Sequence, residues 1–174
     1  RAGAGERGDR VSTQPLLKVS GLTKLFPIRR GLLQRQVGAV HAVEDVSFEV
    51  AKGQTLSLVG ESGCGKTTTG RLITRLLEPT AGSIELDGRD ISHLGAKAMR
   101  PLRRDIQMIF QDPYGSLNPR HTVGTIVGAP FHIQGAKTEQ GIKKSVQDLL
   151  ALVGLSPEHY NRYPHEFSGG QRQR

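Results

Sequence analysis

The chain has 174 residues, enough for one domain with its own hydrophobic core, and its 24 basic and 16 acidic residues give a formal net charge of +8. Its single cysteine excludes an intrachain disulfide, and no apolar run approaches the roughly 20 residues that span a bilayer. A positive charge can indicate a nucleic-acid partner. Residues 1–36 alone, however, carry eight basic and two acidic side chains, a net +6, so we expect a charged leader and no nucleic-acid partner.

The chain begins with a predicted leader that is followed by strands. Residues 1–14 are rich in Arg, Gly, Ser and Thr and are predicted to be disordered. Residues 16–50 are mostly strand-like, and residues 29–40 within them, basic and glycine-containing, are predicted to form an inserted loop. Residues 51–54 are predicted to turn the chain. The alternation that indicates a half-buried strand sets Val46, Phe48 and Val50 against Ser47 and Glu49.

Residues 60–68 read Gly-Glu-Ser-Gly-Cys-Gly-Lys-Thr-Thr and fit the phosphate-binding pattern of a P-loop. The pattern requires four of these positions: Gly60, Gly65, Lys66 and Thr67. The β-prone run 55–59 before the loop predicts a buried strand, and residues 68–78 after it are compatible with a helix that Pro79 stops. A loop that opens a helix presents N–H groups and the positive end of the helix dipole to an anion. The sequence therefore predicts a phosphate site at this turn.

The residue types in this loop suit a triphosphate. Gly60, Gly63 and Gly65 leave the backbone N–H groups accessible and permit positive φ. Lys66 supplies a positive charge for the β- and γ-phosphates, and the Thr67 hydroxyl is a hard oxygen ligand for Mg²⁺. The rival interpretation is a chance glycine-rich turn with a surface lysine, which the strand and helix patterns on either side disfavour.

Two further elements have clear local signals. Residues 83–86 predict a strand that enters a tight hairpin turn at Asp87-Gly88. Apolar residues at helical spacing predict an amphipathic helix that Gly154 ends. The stripe consists of Ile142, Val146, Leu149, Leu150 and Val153. We expect this stripe to face the core.

Two motifs after the loop narrow the class of P-loop protein. Residues 106–113, Ile-Gln-Met-Ile-Phe-Gln-Asp-Pro, predict a strand that ends in Gln111. Near the C-terminus the chain reads Phe167-Ser168-Gly169-Gly170-Gln171. Ser168 is a natural N-cap, and the glycines leave amides open at the start of a helix. With residues 60–68, in this order, the chain resembles the ATP-binding cassette (ABC) ATPases: Gln111 matches the Q-loop, and the second motif matches the signature sequence, with Phe167 where leucine is commoner.

The resemblance covers about residues 15–174. Within the family, the chain most resembles the ATP-binding subunits of oligopeptide and dipeptide importers. Three stretches carry it: residues 25–31 (Leu-Phe-Pro-Ile-Arg-Arg-Gly), residues 110–120 (Phe-Gln-Asp-Pro-Tyr-Gly-Ser-Leu-Asn-Pro-Arg) and residues 163–171 (Tyr-Pro-His-Glu-Phe-Ser-Gly-Gly-Gln). Importers for nickel, glutathione and similar solutes share these sequence stretches, so the resemblance does not identify the transported solute.

The resemblance implies an α/β fold, with a P-loop core and an antiparallel β subdomain over about residues 15–111 and a helical subdomain over about 112–170. ATP and Mg²⁺ are the implied cofactors. The implied nucleotide ligands are Gly60, Glu61, Ser62, Gly63, Cys64, Gly65, Lys66, Thr67 and Thr68, and, in trans from a partner subunit, Ser168, Gly169, Gly170 and Gln171. Gln111 and Lys66 would act in catalysis, and Thr67 and Gln111 on Mg²⁺. Phe26 would stack on adenine, the rival being a buried strand aromatic.

The resemblance also implies partners. Two such subunits, identical or different, would face head to tail at the cytoplasmic face of the membrane. Transmembrane permease subunits would dock near residues 112–120, and an extracytoplasmic solute-binding protein would act indirectly. ATP-driven dimer closure would then power solute import. The alternatives are a soluble ABC ATPase acting on DNA or ribosomes, a non-catalytic binding module and, least favoured, another P-loop enzyme such as a kinase.

The family's Walker B aspartate and catalytic glutamate would follow Arg174. We therefore expect a C-terminally truncated fragment whose missing central strand leaves apolar surface exposed. Because phosphoryl transfer needs a group that orients the attacking water, such a fragment is expected to bind nucleotide weakly and not to hydrolyse it.

Overall fold

The computed structural model describes residues 14–31, 35–112, 115–136 and 138–174. The predicted leader (except Gln14), residues 32–34 of the predicted loop, and Pro113 and Tyr114 of the second importer-like stretch lie outside the described residues. The chain divides into two compact units, the N-terminal unit ending at Met108 and the C-terminal unit spanning Ile109–Arg174.

An antiparallel sheet dominates the N-terminal unit. Its strands are β1 (Leu17–Arg30), β2 (Arg35–Val50), β3 (Ala81–Leu86) and β4 (Arg89–Asp90). They lie in the order β2-β1-β3-β4, and each neighbouring pair is antiparallel. The predicted alternation is confirmed, because Val46 and Phe48 pack against the core whereas Ser47 and Glu49 are exposed. The buried core of this unit consists of Val19, Leu22, Val43, Leu72, Ile84, Ile91 and Met99.

The prediction of a loop over residues 29–40 was wrong for most of that range. β1 continues to Arg30 and β2 begins at Arg35, and the strands pair from Leu25 with His41 to Arg30 with Arg35. Side chains on this part of the hairpin are largely exposed: Ile28 is 42% and Val40 52% exposed. Alternating apolar and polar residues indicate a strand with one buried face, whereas the two strands of this hairpin are held together by their backbone hydrogen bonds.

The strands predicted at 55–59 and 106–110 are also absent: the structure assigns neither segment to a helix or a strand. Val59 is 93% exposed, and Ile109 is 97% exposed. A β-prone run becomes a strand only where another strand supplies its hydrogen bonds, and within the described residues no strand pairs with either segment.

Five α-helices are present in the described residues: α1 (Lys66–Ile73), α2 (Ala96–Met99), α3 (Val123–Gln134), α4 (Ile142–Leu152) and α5 (Gly169–Gln173). Single 3₁₀ turns lie at Pro101–Arg104, Pro157–Asn161 and Pro164–Glu166. No helix among the described residues has the length and apolar character needed to cross a membrane.

Helix α1 begins two residues before the predicted Thr68 and ends at Ile73, well before the predicted Glu78. Arg75 is left-handed (φ 53°), and its amide and that of Leu76 donate to the carbonyls of Leu72 (2.9 Å) and Arg71 (2.8 Å). These bonds form a Schellman-type cap. The early stop reflects the tertiary bonds of the Arg75 side chain, which the apolar spacing of the sequence does not reveal.

The hairpin turn between β3 and β4 is confirmed at Asp87 (φ 49°) and Gly88 (φ 74°). Just after it, the hydroxyl and the amide of Ser92 both donate to the Asp90 carboxylate, at 2.5 and 2.8 Å. The Ser92 hydroxyl also accepts a bond from the amide of Ile84 (2.7 Å), which ties the turn back to β3.

The hydrogen bonds from the Ser92 hydroxyl, and then its amide, hold the pKa of Asp90 below the ordinary value of 3.8. A pKa lowered by folding stabilises the folded state above the unfolded-state value, and this stabilisation is lost as pH falls through the folded-state value. We expect Asp90→Asn to flatten the decline in stability below about pH 4. Urea unfolding from pH 7 to pH 3 checks this, and parallel curves for the two proteins would contradict it.

The C-terminal unit has its own helical core, formed by Val146, Leu150, Leu155 and Phe167. The predicted helix is confirmed as α4, and Gly154 (φ 74°) follows it in the left-handed conformation. The core-facing stripe is narrower than predicted, because Leu149 and Val153 are 41% and 39% exposed. Both line an apolar groove of about 330 Å³ within this unit.

Candidate functional site

The phosphate loop predicted at residues 60–68 leads directly into α1. Gly63 (φ 85°) and Gly65 (φ 94°) adopt conformations that side chains rarely permit, and Gly65 is the N-cap residue of α1. The first N–H groups of a helix have no intrahelical acceptor, so the amides of Lys66 and Thr67 are available to an anion. The first turn of α1 contains no acidic residue that would repel one.

Gly65 is required by packing as well as by its φ angle. A Cβ atom at this position would lie 2.3 Å from the carbonyl oxygen of Ala42 and 3.4 Å from the Val43 side chain. Strand β2 therefore presses against the loop where the helix begins. The start of the helix is also held by the buried Thr69, whose hydroxyl donates to the Gly65 carbonyl at 3.0 Å.

The ammonium of Lys66 lies within the loop. It donates to the carbonyl oxygens of Gly60 (2.8 Å) and Glu61 (2.6 Å) and contacts the Cys64 sulfur at 3.4 Å. The positive charge is thus held against the loop at the N-terminus of α1, and the lysine is partly buried. A phosphate group entering here would meet this charge together with the N-terminus of α1, and the loop therefore fits an anion of that kind.

The other loop residues are accessible. Glu61, Ser62, Cys64 and Thr67 are exposed, and Thr68 is partly buried. In the described part of the chain, no cluster of three or more His, Cys, Asp or Glu side chains could hold a metal ion. The Thr67 hydroxyl is consistent with Mg²⁺, which is commonly held by few protein ligands together with substrate phosphates.

Phe26 lies on β1 opposite Val40 and is 39% exposed. The Lys24 ammonium lies 5.3 Å from the centre of its ring and donates to the Glu78 carbonyl at 2.7 Å. The ring is therefore not a buried strand aromatic, which was the rival interpretation. Part of its surface remains available to a flat ligand.

Gln111 and the second motif belong to the C-terminal unit. Gln111 is exposed and lies outside the helices and strands. The prediction that Ser168 caps a helix is confirmed: its hydroxyl accepts from the amide of Gln171 (3.3 Å), and its amide donates to the Gln171 side chain (3.0 Å). Gly170 is exposed with open space around it, and Phe167 is buried with its ring edge-on to His159 at 5.1 Å.

The sequence did not predict three residues that support the loop and α1: Thr69, Arg75 and Arg103. Thr69 follows Gly65 by four residues, a spacing that allows a hydroxyl-to-carbonyl bond within a helix. No comparable signal marks the two arginines, whose acceptors are backbone carbonyls, some of them distant in sequence.

Comparison with known proteins agrees with these features. The ABC transporter family matches residues 43–174. The glutathione import ATP-binding protein GsiA of Pectobacterium atrosepticum is 56% identical over 161 residues, which cover 92% of this chain and 26% of the relative. The oligopeptide transport ATP-binding protein AppF of Bacillus subtilis is 52% identical over 165 residues, covering 94% and 50% respectively. The chain thus spans about a quarter to a half of the length of these relatives.

Solved structures give the same result. The dimeric post-hydrolysis state of the ATP-binding cassette MJ0796, bound to ADP and Pi, superposes with a TM-score of 0.72 at 27% identity, over 90% of this chain and 65% of that one. The cassette cbiO1 of Clostridium perfringens matches with a TM-score of 0.69 at 24% identity, over 91% and 58%. The predicted fold class, an α/β P-loop cassette with an antiparallel sheet and a helical part, is confirmed. The loop geometry, the motif order and the family match together show that this chain belongs to the ABC transporter family.

Proposed function

We propose that residues 60–68 bind the phosphates of MgATP. The observation that carries the proposal is the position of the Lys66 ammonium, 2.8 Å from Gly60 O and 2.6 Å from Glu61 O at the N-terminus of α1. Charge, backbone amides and helix dipole all favour an anion at this one turn. Thr67, through its hydroxyl, and Gln111 are the residues that we propose to act on the metal.

The second motif supports a role shared between two subunits. The reciprocal bonds between Ser168 and Gln171 fix the start of α5, and Gly169 and Gly170 add no side chain over its amides. Together with Gln171 they would complete the nucleotide site of a partner subunit. MJ0796, a structural neighbour of this chain, is described as a dimeric cassette.

The biological role we propose is that of an ATPase subunit powering solute import from the cytoplasmic face of the membrane, where it would work with permease subunits. Its similarity to GsiA and AppF supports glutathione or short peptides as the solute. Both are small peptides, so the two relatives suggest one chemical class.

Uptake by cells tests this role. In a strain lacking the gene that encodes this chain, we expect import of labelled glutathione or of a labelled oligopeptide to fall to background and to return with the wild-type gene. The gene carrying Lys66→Ala should not restore it. Normal uptake of both solutes in the deletion strain would contradict the proposal.

We expect Phe26→Ala to weaken MgATP binding about tenfold, because stacking of a base on an aromatic ring contributes about 1–3 kcal/mol. The fold should persist, since Phe26 is 39% exposed. Calorimetric titration with MgATP and with magnesium triphosphate separates the base from the phosphates, and only MgATP binding should weaken. Val40→Ala, on the paired residue, is the matched control. An equal loss of affinity for MgATP and for magnesium triphosphate would argue against stacking of the base on Phe26.

A further inference from the structure

We propose that Arg103, acting with Arg75, is a positioning residue for the phosphate loop; the inference rests on the proposed nucleotide site. The two guanidinium groups hold the C-terminal end of α1, the helix whose N-terminal end forms that loop. We call Arg75 and Arg103 with their carbonyl acceptors the arginine clamp.

Arg103 lies in the 3₁₀ turn Pro101–Arg104. One of its terminal nitrogens donates to the carbonyl of Thr74, and the other donates to the carbonyl of Arg75 at 2.8 Å. The Thr74 carbonyl is one of the orphan carbonyls that every helix leaves at its C-terminus, and Arg75 is the first residue beyond the C-cap. A planar guanidinium can reach both at once, which a lysine ammonium does less well. The cation also complements the negative end of the helix dipole.

Arg75, the second arginine of the clamp, is buried in the N-terminal unit. Its side chain is only 3% exposed and donates to the carbonyls of Ile91 (2.8 Å), Leu77 (3.2 Å) and Leu94 (3.2 Å). The amide of Ile91 in turn donates to the Ile84 carbonyl on β3 at 2.8 Å. A buried arginine whose donors are satisfied in this way ties the end of α1 to the sheet.

The distance between the two ends of α1 is short. The helix has eight residues, so it is about 12 Å long. Its N-terminal end packs against Ala42 through Gly65, and its C-terminal end is held by the clamp. Because the helix is this short, we expect that releasing its C-terminal end also shifts the amides at its N-terminal end. Those amides and Lys66 are the groups proposed to bind phosphate.

The C-terminal end of α1 also contacts the segment that precedes Gln111. The Thr74 hydroxyl lies 4.0 Å from the sulfur of Met108, the last residue of the N-terminal unit. Arg103 and Met108 therefore both contact Thr74. The end of α1 is the point where the segment 103–108 is attached to the phosphate-loop helix.

The test uses Arg103→Gln and Arg103→Lys in the 174-residue chain, with two controls. Arg104→Gln removes the neighbouring exposed arginine. Ile84→Val shortens a fully buried core side chain and lowers stability without touching the clamp's side chains. The measurements are unfolding in urea, MgATP affinity by calorimetry, and the rate at which N-ethylmaleimide alkylates Cys64, the chain's one cysteine, without nucleotide.

We expect Arg103→Gln to weaken MgATP binding about tenfold, within the range by which distant residues modulate a binding site. We expect it to change the rate of Cys64 alkylation about threefold, because the reactivity of an exposed thiol depends on its surroundings and a displaced loop alters the 3.4 Å contact between the Cys64 sulfur and the Lys66 ammonium. Arg103→Lys should fall between wild type and Arg103→Gln, and both controls should match wild type in affinity and alkylation rate.

If the Arg103 variants lose stability but match Ile84→Val in affinity and alkylation rate, the clamp only supports the fold and the inference is overturned. If wild type itself binds no MgATP, the proposed nucleotide site fails. The alkylation rates would still decide whether Arg103 positions the loop, because that measurement needs no nucleotide.

Discussion

Replacing Lys66 with alanine is expected to lower the affinity for MgATP by about 100-fold or more. Removing one partner of a hydrogen-bonded charge pair in a binding site costs about 2–5 kcal/mol, and each 1.4 kcal/mol is a factor of ten. Lys66 is the basic side chain inside the loop, bonded to the carbonyls of Gly60 and Glu61. Calorimetric titration of wild type and variant with MgATP measures the loss.

The matched control for this experiment is Lys52→Ala. Lys52 is exposed in the turn that precedes the loop segment, so its removal lowers the net charge by the same amount without touching the site. We expect its affinity for MgATP to equal that of wild type. Similar losses for both variants would mean that general charge attracts the nucleotide, and a Lys66→Ala protein with unchanged affinity would refute the loop as the phosphate site.

Replacing Gly65 with alanine is expected to destabilise the N-terminal unit by about 3 kcal/mol, from backbone strain and overpacking together. The added Cβ would lie 2.3 Å from the Ala42 carbonyl oxygen at a residue with φ 94°. Backbone cannot give way as a flexible side chain can. Strand β2 or the start of α1 must therefore move, and MgATP binding should be lost with it. Urea unfolding measures the change in stability.

Gly63→Ala separates the two causes. Gly63 has φ 85° but nothing within 4 Å of an added Cβ, so this variant carries the strain without the collision. A left-handed non-glycine residue costs about 1–2 kcal/mol. We therefore expect Gly63→Ala to be clearly more stable than Gly65→Ala. Equal destabilisation of the two variants would mean that the contact with Ala42 contributes nothing.

The Lys66 and Gly65 variants also test different parts of the site. Lys66→Ala removes charge from a loop whose backbone should keep its shape, so binding falls more than stability. Gly65→Ala changes the shape first, so stability and binding fall together. A phosphate site of this type needs both its charge and the backbone geometry that converges on the same point.

The sequence predicted the elements whose causes are local. Asp87-Gly88 forms the predicted hairpin turn, Ser168 caps α5, and Gly154 ends α4. In each case the determining residue acts on its own backbone or within a few residues of itself. The P-loop pattern and the motif order belong to the same category, and they sufficed to identify the family.

The elements that the sequence predicted wrongly depend on residues that are distant in the chain. Residues 55–59 have β propensity, but strand formation depends on a pairing partner elsewhere in the chain. The hairpin of β1 and β2 includes residues 29–30 and 35–40 of the predicted loop because the two strands pair with each other, although most of the described side chains there are exposed. α1 ends early because Arg75 bonds carbonyls as far away as Ile91 and Leu94.

The sequence by itself determined which chemistry the loop can offer: glycines that admit an anion, a lysine that attracts it and a threonine hydroxyl. Only the tertiary structure decided how these groups are held, through Ala42 against Gly65 at one end of α1 and Arg103 on Thr74 and Arg75 at the other. The reason is physical. Residue type fixes charge and allowed backbone angles, whereas the acceptors of these contacts are backbone carbonyls, which every residue carries and no sequence pattern marks.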